Sequence, residues 1–309
     1  MAKKEGMIES EPLMDVLTHV VLIGGLVILL APIAMVLIAA SHDFKTVNQS
    51  PMPMIPGSHL LENLQSAWTK YNFGQVMITS LIVACGVAGG KIVIAAMSAF
   101  SIVYFRYRLR QVFFWLIFAT LMLPLEVRIV PTFALAANVL SPFQTSLDFI
   151  AGYVPSVSIH LPEWNMLNSY EGLILPLVAT ATGTFLYRQF FLTIPDELAE
   201  AARLDGAGPV KFFWYILLPL SKTNMAALGV IMFVWAWNQY LWPILVVTDQ
   251  NHFATAAMQL GKAVPGLAFG EPPIWNTAMA ATLIVMVPPL LVVVIAQRWF
   301  VRGLISTEK

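Results

Sequence analysis

Of the 309 residues, 58% are hydrophobic and 11% charged, where soluble domains carry about a quarter charged residues. Seventeen Lys and Arg balance 17 Asp and Glu, and this zero net charge makes no case for nucleic acid as a partner. A soluble core of this length needs a far more polar shell, so composition predicts an all-α polytopic membrane protein with the lipid bilayer as its surroundings.

Six apolar segments follow one another, at about 16–40, 76–103, 112–139, 170–191, 223–247 and 275–301. Each reaches the roughly 20 residues that cross a hydrocarbon core. Inside lipid every backbone polar group has to be satisfied locally, so each segment is predicted to be a helix. Residues 1–15 read as a tail, and 16–309 as one membrane domain. The first segment is too long for a typical apolar signal region, and Ile38-Ala39-Ala40 is a poor cleavage site, so it reads as a retained anchor.

The loop "SPMPMIPGSHLLENLQSAW" is punctuated by proline and ends in a short amphipathic run. The second segment holds the single cysteine, Cys85, read as a small buried hydrophobe. It also holds Lys91, expected near the inner end with its amine reaching the interface. "GVAGGKI", residues 86–92, superficially suggests a phosphate loop. It lacks the required spacing and the hydroxyl after the lysine, and it lies in an apolar run, so that reading is rejected.

The third segment carries Glu126 and Arg128 between Pro124 and Pro131. An arginine at mid-span costs about 2.5–3.5 kcal/mol on insertion scales, so Arg128 is expected to face protein or water. Glu126 lies two residues away and does not pair with it on an unbroken helix. A structural role for Arg128 against a neighbouring helix, and a role lining a solute pathway beside Glu126, both stay open. The following loop, about 141–168, has no Lys or Arg and carries Pro, Trp, Tyr and Phe. It suits either an interfacial segment or a docking surface.

After the fourth segment comes a polar stretch, about 192–222. Thr193-Ile194-Pro195-Asp196 reads as a helix start with a hydroxyl cap. A helix of about three turns follows, with Glu197, Glu200, Arg203 and Asp205 charged and Ala201 and Ala202 small. Gly206 is placed as its left-handed stop. An amphipathic helix lying on lipid is the alternative, but this one is acidic, a poor match to anionic headgroups.

In the fifth segment Trp235, Asn238 and Trp242 are expected on one helix face by their spacing. Arg128 lies 16 residues past Val112 and Asn238 lies 16 past Lys222. Both are thus placed roughly 24 Å up from the inner ends. Asn238 between aromatic faces could meet a polyol, and an outer aromatic belt explains Trp242 equally well. The third outer loop, "AVPGLAFGEPPIW", is broken by glycine and proline. The chain ends in "QRWFVRGLISTEK", read as a basic tail.

Lys and Arg counts orient the chain. With the N-terminus inside, 12 fall on the cytoplasmic side, three on the outer side and two, Lys91 and Arg128, within segments. Both termini are therefore expected in the cytoplasm.

"EAARLDGAGPVKFFWYILLP" matches the signature of ABC importer membrane subunits at Glu200, Ala201, Ala202, Gly206, Ile216, Leu218 and Pro219. The resemblance extends over essentially the whole chain to the permease subunits of the carbohydrate-uptake, maltose-type branch of type I importers. Its further carriers are "TLMLPLEVRIVPT", "FLYRQFFLTIPDELAEAARLDGA", "WNQYLWPILVVTD" and "QRWFVRGL". Within that branch the chain is similar to the second permease subunits of sn-glycerol-3-phosphate importers. The resemblance implies a permease core over about 76–301, with the 192–222 loop coupling it to an ATPase. It implies a homologous second permease subunit, an ATPase dimer and an extracytoplasmic solute-binding protein as partners. No cofactor is expected on this chain, because ATP and Mg bind the ATPase subunits, and the protein is expected to be a non-catalytic inner-membrane component. In maltose-type relatives the C-terminal tail touches the ATPase, which is the expectation for 303–309. The 141–168 loop is longer than in the glycerol-3-phosphate subunits and more like the maltose type. A neutral oligosaccharide or polyol is therefore the alternative cargo to sn-glycerol-3-phosphate or a glycerophosphodiester. A self-sufficient secondary transporter predicts internal repeats and midplane acids instead. A membrane enzyme needs catalytic motifs that the chain does not carry.

Overall fold

The computed structural model describes residues 12–120, 123–151, 160–179, 181–264 and 274–305. The far N-terminus, most of "AVPGLAFGEPPIW" and residues 306–309, part of the tail expected to touch the ATPase, lie outside the described residues. Regular structure among the described residues is all helical, as expected. The chain divides into two compact units.

The first unit holds residues 12–72, 262–264 and 274–286. Its helices are α1 (Pro12–Ser41), α2 (Phe44–Val47) and α3 (Leu60–Lys70). The 29 residues Leu13–Ser41 are long enough to span, and their most apolar window has no buried side chain. A polar knot closes the end of α1. Buried Asn63 donates to the carbonyls of Ala40 and His42, both at 2.8 Å, and its Oδ1 accepts from Asn276 at 2.8 Å. Gly57 N donates to Ser41 Oγ at 2.7 Å, and a Cβ on Gly57 would stand 2.5 Å from the Ser41 carbonyl. Only glycine tolerates that approach. Three bonds on one buried amide make Asn63→Ala costly: it should destabilise the unit by about 2–4 kcal/mol. A markedly lower melting temperature of the purified protein in detergent is the expected result, and an unchanged one would contradict it.

The second unit holds residues 73–261 and 287–305. Its axis is α4 (Phe73–Tyr104), 32 residues long. Next come α5 (Arg110–Ala119), α6 (Leu125–Ala137), α7 (Ser141–Ala151), α8 (Tyr170–Val178) and α9 (Ala181–Phe191). Then follow α10 (Asp196–Leu204), α11 (Pro209–Phe212), a π turn (Phe213–Leu217) and α12 (Leu218–Leu220). The chain continues through α13 (Lys222–Trp237), α14 (Leu241–Val246), α15 (Gln250–Phe253) and α16 (Ala256–Ala263). The last helix, α17 (Trp275–Ile305), has its first residues in the other unit.

α4 packs against α8, α9 and α13 through one stripe that includes Val76, Val83, Val87, Ala95 and Ala99. Small residues bring the backbones close, since a Cβ on Gly86 or Gly90 would enter Ile174 or Val178. Cys85 faces the other way and is exposed, not buried as expected. The seam consists of its neighbours in the 83–84 and 87–88 pairs, which leaves an apolar thiol on the outward surface.

Three predicted segments form long helices, and three are interrupted. The 112–139 segment breaks before α6, at Pro124, whose missing N–H suits a helix start; Pro131 is absorbed inside α6. The 170–191 segment breaks where Ala179 turns extended, at φ −64° and ψ 122°. The 223–247 segment stops at Trp237, and Pro243 lies in the first turn of α14 after the gap. Trp235, Asn238 and Trp242 therefore do not share a helix face. Trp242 is fully buried, donating from Nε1 to the Gly172 carbonyl at 3.0 Å.

Candidate functional sites: the 192–222 turn and a cationic pocket

α10 is nine residues long and starts without a side-chain cap. Thr193 was expected to supply one. Its hydroxyl instead donates back to the Phe190 carbonyl at 2.7 Å, closing α9, and Pro195 takes the cap position. The other end is as expected. Gly206 has φ +72°, its N–H donates to the Arg203 carbonyl at 3.0 Å, and Ala207 N donates to the Ala202 carbonyl at 2.8 Å. That pair of bonds is the Schellman stop, and the left-handed residue in it favours glycine.

The helix presents its charges outward. Glu197, Glu200, Ala201 and Arg203 are exposed, and Leu204 is 89% exposed, while Ala202 is buried in the chain's own packing. Beneath it lies a cavity of about 410 Å³, lined among others by Phe100, Tyr104, Ala199, Ala202 and Phe212. An aromatic cluster ties this region to the end of α4: Phe100 sits 4.9 Å from Phe213, and Tyr104 sits 5.1 Å from Phe212. Gly208 caps α11 with Pro209 at its first turn. Ile216 lies in the π turn, with Leu218 and Pro219 just after it. A proline clashes with the carbonyl four residues back, and the wider turn relieves that contact. At Ser221 the chain then bends by 74° into α13. The result is a short exposed helix fixed through rings and a bent helix to the long helices α4 and α13.

A second site lies among the membrane-grade helices. Lys91, Thr120, Arg128, Thr182, Met232 and Trp235 are among the residues lining a pocket of about 280 Å³. Two of the helix breaks meet here. Thr120 and Leu123 flank the one before α6, and Ala179, Ala181 and Thr182 flank the one before α9. Non-helical backbone at membrane depth is tolerated where it lines a cavity, which accounts for breaks in otherwise apolar runs. Arg128 is part-buried; its Nε has no hydrogen-bond partner, and it forms no ion pair among the described residues. Lys91 is 5% exposed, its Nζ 3.4 Å from the centroid of the Trp235 ring.

The pocket thus brings Arg128 and Trp235 together, but not their companions from the sequence reading. Glu126 is exposed outside it. Asn238 closes α13, donating from its side-chain amide to the Val234 carbonyl at 2.9 Å. Lys91 was missed. Its amine does not reach outward, because the residue is buried and its Nζ rests on the Trp235 ring. Its central position in the 76–103 run was the available signal. The 86–92 stretch is helical throughout, so no phosphate loop forms there.

The family description "binding-protein-dependent transport system inner membrane component" matches residues 91–306. The chain belongs to that family. It is accordingly a permease component of an ABC importer, a non-catalytic membrane protein. Similar proteins span its whole length. The sn-glycerol-3-phosphate transport system permease protein UgpE of Yersinia pestis bv. Antiqua is 46% identical over 314 residues, covering 98% of this chain and 100% of the relative. UgpE of Pectobacterium atrosepticum is 47% identical and that of Escherichia coli O157:H7 45% identical, with the same coverage. Among solved structures, a bacterial ABC transporter involved in import of the acidic polysaccharide alginate has a chain that superposes with TM-score 0.73. That match covers 97% of this chain and 100% of the other at 17% identity, a likeness of fold. The family match begins at Lys91 and takes in both sites.

Proposed function

We propose that this chain forms half of the translocation pathway for sn-glycerol-3-phosphate in an ATP-driven importer. The observation that carries this reading is the 46% identity to UgpE over the full length of both chains. The other half of the pathway is a homologous, non-identical permease subunit. An ATPase dimer lies on the cytoplasmic side, where ATP and Mg are bound, and an extracytoplasmic solute-binding protein delivers the solute.

The 192–222 stretch is the coupling element. Glu200 and Ala201 face outward for contact with the ATPase, Gly206 sets where the helix ends, and Ala202 anchors it from within. Ile216, Leu218 and Pro219 shape the bent connection that passes its movement to α13. In the pathway Arg128 is the group that meets phosphate, as a charge-assisted donor whose guanidinium fork matches two phosphate oxygens. Trp235 forms the apolar wall beside it. Glu126 and Asn238 lie outside the Arg128 pocket and are assigned no contact with the phosphate.

The test is uptake by proteoliposomes holding this chain with its partner permease, its ATPase and its solute-binding protein. ATP-dependent accumulation of sn-glycerol-3-phosphate, with no accumulation of maltose or glycerol, is expected. Import of a neutral oligosaccharide or polyol in preference to the phosphate would overturn the substrate reading and leave the machine intact. Accumulation without the ATPase would instead favour a secondary transporter.

A further inference from the structure

The pocket beside Arg128 holds more positive charge than one arginine. Lys91 is nine-tenths buried and lines the same cavity. No carboxylate lines that cavity among the described residues, and its immediate chain neighbours Leu121, Met122 and Thr180 carry no charge. Trp235 holds the ammonium against its ring face, which keeps a cation in an apolar setting without consuming its charge in an ion pair. The start of α9 adds to this, because Ala181 and Thr182 line the pocket. The first N–H groups of a helix lack intrahelical partners and carry the positive end of its dipole. Arginine fork, ammonium and helix start converge on one small space.

We propose that Lys91 is a specificity residue, which makes this pocket select a doubly charged phosphate monoester over a singly charged phosphodiester. The proposal rests on the phosphate reading above and sharpens it. A phosphate monoester carries a charge of about −1.5 to −2 near pH 7, with its second ionisation near pH 6, while a diester carries one charge. Arg128 can match one negative charge with its fork, and Lys91 supplies a point charge for the second. The attraction to Lys91 scales with the solute's charge, so removing that cation costs a dianion about twice the free energy it costs a monoanion. Doubling a free energy squares the fold-change. If a diester loses about threefold, a monoester should therefore lose about tenfold, within the range for one charge-assisted contact.

The experiment compares the complete importer carrying wild-type chain, Lys91→Gln and Lys91→Arg, with the same solute-binding protein in every case. Uptake of sn-glycerol-3-phosphate and of its methyl phosphodiester is measured at pH 7.5 and expressed per assembled complex. Lys91→Gln should lose about tenfold for the monoester and about threefold for the diester, and Lys91→Arg should keep most of the preference. A second arm uses the monoester alone at pH 5, where it is singly charged; the Lys91→Gln deficit should shrink there to about threefold. Equal losses for the two solutes, a deficit that does not change with pH, or no deficit at all would overturn the proposal. Loss of the complex in Lys91→Gln with full activity in Lys91→Arg would leave the pH arm to decide, using Lys91→Met as the neutral variant of similar length. A wild-type complex that imports neither solute would overturn the substrate reading itself, an outcome visible before any variant is compared.

Discussion

Gly206→Val is expected to abolish solute-stimulated ATP hydrolysis while leaving the protein in the membrane at normal abundance. The reason is local. A Cβ at position 206 meets nothing within 4 Å, so the substitution creates no clash with neighbouring atoms. The penalty lies in the backbone, where φ is +72° and a β-branched residue is a genuine outlier. Such strain costs about 1–3 kcal/mol, and it is relieved by unwinding the stop and releasing the bonds from Gly206 and Ala207. Leu204 and the charged residues around it would then no longer be held at one angle to α4 and α13. Glu200→Lys tests the same element from outside. Glu200 is exposed and forms no ion pair among the described residues, so reversing its charge should leave the fold untouched. At an interface a like-charge contact costs several kcal/mol, so recruitment of the ATPase subunits should weaken on the order of a hundredfold. The measurements are co-purification of the ATPase and transport-linked ATP hydrolysis. Wild-type uptake by either variant at normal abundance would rule out the coupling role.

Why this element was legible and the pocket was not follows from the range of the interactions. Gly206 is readable because a helix end of this kind depends on a few adjacent residues, and few residue types accept its conformation. The long apolar runs of α1, α4 and α17 are readable because length and composition alone decide them. The interruption at Pro124 has a local cause in the missing N–H. That at Ala179 has neither proline nor glycine beside it; its neighbours are Val178 and Thr180. Thr193 shows the limit of local reading even in loops. Its hydroxyl had two helix ends within reach, and it closes α9 rather than opening α10. The pocket depends on contacts between residues far apart in the chain. Lys91 and Trp235 are 144 positions apart, and no periodicity in either segment announces that they touch. The common face expected for Trp235, Asn238 and Trp242 failed for a related reason. Their 3–4 spacing assumes one helix running through to Trp242, whereas α13 ends at Trp237 and α14 begins only at Leu241.

Arg128→Gln should lower uptake of sn-glycerol-3-phosphate per assembled transporter by roughly ten- to a hundredfold, since a charge-assisted contact contributes about 1.5–3 kcal/mol. Glutamine keeps a hydrogen-bonding group of similar reach and removes the cation. Arg128→Lys should recover part of the loss, because a point charge still attracts phosphate but lacks the bidentate fork. The competing account makes Arg128 a structural anchor, and the two accounts differ in what falls. An anchor needs a partner, yet the Nε is buried without a hydrogen bond, and neither Glu126 nor any other described carboxylate forms an ion pair with the side chain. Keeping an unpaired cation at membrane depth costs about 2.5–3.5 kcal/mol on insertion scales, a penalty that an anion entering the pocket would offset. On that argument Arg128→Gln should raise the thermal stability of the empty complex or leave it unchanged while transport collapses. An anchor predicts the reverse, with abundance and melting temperature falling alongside activity. Uptake normalised to assembled complex, read beside the melting temperature, separates the two. Normal uptake per complex from Arg128→Gln would end the phosphate-contact role and leave Arg128 as part of the packing.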